Sequence, residues 1–122
     1  MLIPHLHFCG DCSEAIALYE AAFNTKAETI ISNRDNEISH AVMNIRGQKV
    51  FLNDRFGNKY KSPGCAVCLI IMFKTTEELL ACYEIFKKGS ITVDPLEELP
   101  YSKLAVQFID RFGIQWGFLV EE

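Results

Sequence analysis

Pro4 to Tyr19 reads PHLHFCGDCSEAIALY, a strand, a turn and the start of a helix in one short stretch. Leu6 and Phe8 alternate with His5 and His7, the period-two pattern of a strand whose two faces meet different surroundings. Gly10 supplies a turn where a side chain would clash. Asp11 followed three residues later by Glu14 is the signature of a capping box at a helix start. Ala15, Ile16, Tyr19, Ala22 and Phe23 then recur at three- and four-residue spacing, an apolar stripe that packs a helix on a sheet.

A second version of this stretch runs from Ala66 to Phe86, AVCLIIMFKTTEELLACYEIF. Thr75 and Glu78 repeat the capping box, and Leu79, Leu80, Tyr83 and Phe86 repeat the stripe. Tyr19-Glu20 meets Tyr83-Glu84, Glu14 meets Glu78 and Asp11 meets Thr75, all at one offset. Further on, Phe51-Leu52 resembles Phe118-Leu119. This is the pattern of a duplicated module, since a solenoid needs at least three copies to cap a stacked core.

Working outward, Ala27 to Ser32 reads as a strand that ends in the turn residues Asn33 to Asn36. Ile38 to Arg46 is the next strand, and Gly47-Gln48 is a two-residue hairpin into Lys49 to Asn53. The second half offers a strand at Ala66–Phe73, apolar enough to be buried on both faces, and a helix at Thr76–Lys88. A short strand at Ser90–Val93, a loop at Pro95–Pro100, and strands at Ser102–Ile109 and Gln115–Val120 complete it. The expected fold is α+β: two tandem βαβββ modules, 1–54 and 65–122, joined by a linker at 55–64 within a single domain, 1–122. With a helix covering one face of each sheet, the opposite faces are expected to curl as a half-barrel around a cavity.

Composition narrows the partners. The 122 residues carry a formal charge of −4 with no basic run, which excludes a nucleic-acid footprint. No apolar stretch approaches the ~20 residues of a membrane span. The amino terminus shows no export signal, so a cytoplasmic location is expected. Cysteines form two CxxC pairs, Cys9/Cys12 and Cys65/Cys68. Residues three apart on a strand point to opposite faces, so Cys65 and Cys68 do not chelate one ion, and Cys9 with Cys12 alone does not close a tetrahedral site. Buried thiols are the expectation.

Taken together, Pro4-His5-Leu6-His7-Phe8-Cys9-Gly10-Asp11-Cys12 with Glu14-Ala15, Tyr19 and Phe23, then Ile38-Ser39-His40-Ala41 leading to Asn53-Asp54, and finally Asp110-Arg111-Phe112-Gly113 with Trp116, resemble the vicinal oxygen chelate superfamily. This is the glyoxalase, bleomycin-resistance and dioxygenase group, and the likeness is to its PhnB-like branch. The chain departs from that branch at Leu99-Pro100-Tyr101, where an aromatic Phe-Trp pair is usual, and in the short turn at Asn33–Glu37. The resemblance implies metal ligands on the first and last strand of each module. Those positions fall on Ile3 or Pro4, near Leu52, near Ala66 and on Gly117, none of which can bind a divalent ion. No metal and no cofactor are therefore expected.

The residues themselves mark a cavity wall. With Leu6, Phe8, Ala41, Met43 and Ile45 packed under the helix, His5, His7, His40 and Asn44 face the other way. Asn53, Gln115 and Gly117 join them as candidates, Gly117 widening the pocket. Ser39 and His40, adjacent on a strand, point apart and form no nucleophile–base pair. Asp54 and Asp110 are expected to fix turns, and no catalytic residue is assigned. The expectation is a binding module for a small organic ligand, a homodimer by resemblance, with no nucleic acid or membrane partner. The alternative is a metal-dependent lyase, isomerase or dioxygenase with a site built on the three histidines, since imidazoles are the commonest transition-metal ligands.

Overall fold

The computed structural model describes residues 1–55 and 67–121, and Cys65, Ala66 and most of the expected linker lie outside them. The chain divides into two compact units, Met1–Lys61 and Ser62–Glu122. The first contains β1 (His5–Phe8), α1 (Cys12–Phe23), β2 (Thr29–Ser32), β3 (Ile38–Ile45) and β4 (Gln48–Asp54). The second contains β5 (Leu69–Phe73), α2 (Thr76–Phe86), β6 (Ile91–Leu99), β7 (Ser102–Ile109) and β8 (Gln115–Val120). Strand orders are β1-β4-β3-β2 and β5-β8-β7-β6, the same topology twice. In each sheet the first and last strands pair in parallel and the rest pair antiparallel. The fold is α+β, two tandem βαβββ modules.

In the first unit the alternation read from the sequence is the alternation of burial. Leu6 and Phe8 are buried while His5 and His7 are exposed. Ala41, Met43, Val50 and Leu52 join them under α1, with Ala15, Ile16, Leu18 and Tyr19 facing down from the helix. The helix start is held differently from the expected capping box. Asp11 occupies the N-cap, but its side chain makes no cap bond. Instead Asp54, at the end of β4, accepts from Gly10 N–H at 2.8 Å and Cys12 N–H at 3.0 Å through Oδ1, and from Ile38 N–H at 3.0 Å through Oδ2. Parallel pairing sets Phe8 beside Asp54, so this carboxylate stands on the helix side of the sheet, where the first helical N–H groups lack partners.

The β3–β4 hairpin turns on Arg46-Gly47, one residue earlier than expected, with Ile45 opposite Gln48. Both turn residues have positive φ, 54° and 90°, which gives the twist that two-residue hairpins need. Asn44 Oδ1 accepts from Gly47 N–H at 2.8 Å and locks the turn.

The second unit has an aromatic core. Phe86, Phe108, Trp116 and Phe118 are all 1% exposed or less, with ring centroids of Phe108 and Phe118 5.0 Å apart and edge to face. Each such side chain contributes roughly 1.5–3 kcal/mol by leaving water. Here α2 starts with the predicted cap, Thr75 Oγ1 accepting from Glu78 N–H at 3.1 Å. Its buried face uses Leu79, Cys82, Tyr83 and Phe86, whereas Leu80 points outward. β5 is shorter than expected and buried on one face only, since Ile70 and Met72 are exposed.

The loop expected at Pro95–Pro100 is instead the second half of β6. The ladder to β7 shifts register at Thr92/Asp94, Asp94/Glu97 and Glu97/Leu99. β6 is an edge strand, and an edge at a bulge is where a sheet admits a proline that cannot donate. Pro95 lies within the Asp94/Glu97 shift, and this is why the segment reads as a loop in sequence.

Candidate functional site

The three histidines share the face of the first sheet turned away from α1. β1 carries His5 and His7, β4 carries Phe51 opposite His5 and Asn53 opposite His7, and β3 carries His40. The His5 and His7 rings lie 4.3 Å apart. Phe51 contacts both His5 and His40, its ring edge-on to His5 at 5.9 Å and to His40 at 5.0 Å. The pKa of His5 is lowered, first by partial burial and then by the charges of His7, His40 and Arg55. His7 has both ring nitrogens engaged: Nδ1 lies 2.7 Å from Asn53 Oδ1, and Nε2 lies 3.3 Å from Arg55 Nη1. A guanidinium only donates, so Nε2 accepts, and Nδ1–H donates to Asn53. A metal at His7 would have to displace one of these partners. Among the described residues no group of three or more His, Cys, Asp or Glu is placed to hold a metal ion.

The remaining candidates fall elsewhere. Asn44 holds the hairpin turn. Gln115 Nε2 donates to Gln107 Oε1 at 3.4 Å on the open face of the second sheet. Gly117 lies on that face too, but its space is taken: a Cβ there would stand 2.6 Å from Ile70 Cδ1 and 3.3 Å from Cys68 Sγ. Leu52, one of the positions where the resemblance puts a metal ligand, is fully buried under α1. Cys12 is buried as well, and burial, with Asp54 and Asp11 nearby, pushes its thiol up to about 12, so it is no thiolate at neutral pH. Asp54 and Asp110 serve backbone N–H groups. Asp110 Oδ1 accepts from Phe112 N–H at 2.9 Å and Ile114 N–H at 3.0 Å, and Oδ2 accepts from Trp116 Nε1 at 2.9 Å.

A concavity of about 460 Å³ opens on the second sheet, within one unit. Ile70 from β5, Ala105 and Gln107 from β7 and Leu119 from β8 form its floor, while Asp94, Pro95, Glu97 and Leu99 of β6 and the following Tyr101 wall it. None of the candidate site residues read from the sequence lines it, although Gln115 and Gly117 approach its floor at Gln107 and Ile70, and Leu99 and Tyr101, where the chain departs from the PhnB-like pattern, belong to its wall. The signal in the sequence was the run Ile91 to Tyr101, whose acidic residues and proline hid a strand.

No family model matches the chain, and no curated protein matches it. Solved structures do. A PhnB protein from Bacillus cereus superposes with a TM-score of 0.88 over 98% of each chain, at 22% identity. A glyoxylase/bleomycin resistance protein/dioxygenase domain from a Frankia species gives 0.72 over 100% of this chain and 97% of that one, at 18% identity. A fosfomycin resistance protein from Listeria monocytogenes gives 0.73 over 100% and 93%, at 13% identity. The fold is therefore the glyoxalase/bleomycin-resistance fold that the sequence resemblance implied. Within it, the PhnB protein superposes better than the other two.

Proposed function

We propose that this PhnB-like chain binds a small organic molecule in the pocket of its second unit, without the metal centre used elsewhere in the superfamily, and that it works as a homodimer. The supporting observation is the pocket itself, a concavity of about 460 Å³ with an apolar floor and a few polar groups on its wall, the usual form of a small-molecule site. Among the described residues that line it none is a serine, cysteine, histidine or lysine, which favours reversible binding over nucleophilic turnover. Native mass spectrometry of protein purified without added metal or chelator tests the proposal. The expected result is a dimer carrying an organic mass. A monomer overturns the dimer, and steady chemical conversion of the bound compound by the protein overturns the binding-module reading.

A further inference from the structure

Among the described residues that line it, the pocket is one-sided in charge: Asp94 and Glu97 stand on its β6 wall, and none of the others is basic. Three residues apart on a regular strand, these two side chains would point to opposite faces. The register shift between them in the β6–β7 ladder turns both toward the same concavity, with Asp94 paired across from Gln107 and Glu97 from Ala105. Tyr101, 63% exposed at the end of the same wall, adds an aromatic face of the kind that attracts cations. Opposite lies an apolar floor of Ile70, Ala105 and Leu119.

Resting on the pocket reading above, we propose that the ligand is an organic cation, an ammonium or amidinium head carried on an apolar body. The head sits between the two carboxylates and Tyr101, and the body covers Ile70 and Leu119. The bulged edge strand is the device that sets charge selection beside an apolar surface.

Three soluble probes of one shape test this: phenylbutylamine, phenylbutanol and phenylbutyrate, titrated into isotopically labelled protein and followed by amide chemical shifts. The amine is expected to bind about tenfold more tightly than the alcohol, the scale of two solvent-exposed carboxylates acting on one charge, and the butyrate more weakly still. Shifts are expected at Ile70, Gln107 and Leu119, and the amine's advantage shrinks as salt screens the carboxylates. Asp94→Asn with Glu97→Gln changes only exposed side chains and is expected to bring amine and alcohol to equal affinity. If the alcohol binds the parent protein as tightly as the amine at those residues, the charge assignment is wrong and the pocket reading stands. If none of the three moves those amides at millimolar concentration, both fall.

Discussion

Replacing Asp110 by Asn keeps the shape of a side chain that is 3% exposed and removes its charge. The carboxylate accepts from two backbone N–H groups and from the Trp116 indole N–H, all at 2.9–3.0 Å. An amide has only one acceptor oxygen. Turned to keep Phe112 and Ile114, it presents N–H to the Trp116 N–H; turned to keep Trp116, it presents N–H to the two backbone donors. Either way at least one donor loses this acceptor where water does not replace it, which costs about 1–3 kcal/mol. The bonds that survive lose their charge assistance, about 1 kcal/mol more. The expected loss for Asp110→Asn is about 3 kcal/mol, a large share of the ~5–15 kcal/mol that holds a typical domain together. Urea unfolding followed by far-UV circular dichroism measures it, with the slope unchanged. Trp116→Phe removes the indole donor, so in the double variant part of the loss at Asp110 returns, a coupling of at least about 1 kcal/mol. An Asp110→Asn protein within about 0.5 kcal/mol of the parent, the size of an ordinary surface change, would refute the reasoning.

Asp54→Ala is expected to destabilise by about 2 kcal/mol, through three backbone N–H groups, and Asp11→Ala by clearly less; hydrogen exchange should quicken at Gly10, Cys12 and Ile38 only in the first. Equal losses would return the helix cap to Asp11. Gly117→Ala pushes a methyl against Ile70 Cδ1, the mobile end of a half-exposed side chain, so its cost should stay near 1 kcal/mol and be relieved by Ile70→Val in the same denaturation assay. A larger loss with no relief would mean that the backbone, not Ile70, sets the limit. The lowered pKa of His5 means that the unfolded chain takes up its proton first as pH falls. The stabilising contribution of the neutral ring is present above the ordinary value of 6.5 and is lost as pH falls through it toward the folded value. His5→Gln should flatten stability against pH in that window, and an NMR titration of His5 with its midpoint at or above 6.5 would contradict this.

The fold was legible where local pattern and tertiary packing agree. His5-Leu6-His7-Phe8 and Ile38 to Ile45 alternate because one face of each meets a helix, and Thr75 caps α2 from the position its spacing indicates. It was misread where a distant residue outcompetes a near one. Asp11 has the right spacing for a cap, yet Asp54, far along the chain, arrives on the helix side of the sheet and takes the N–H groups. The candidate site was legible only in part. The shared face of His5, His7 and His40 follows from strand parity. The pocket does not, because its wall is β6, where Pro95 and three carboxylates suppress the signs of a strand and a bulge sets which side chains point inward.

That wall has one more consequence. The residues from Ile91 to Glu98 are exposed along their whole length, while the second unit's stability rests on the rings under α2 and on the Asp110 clamp. The pocket's outer wall and the core that keeps the unit folded thus lie in separate parts of one sheet. Substitutions from Ile91 to Glu98 are therefore expected to reshape that wall with little change in stability, which leaves this edge more tolerant of change than the rings beneath α2.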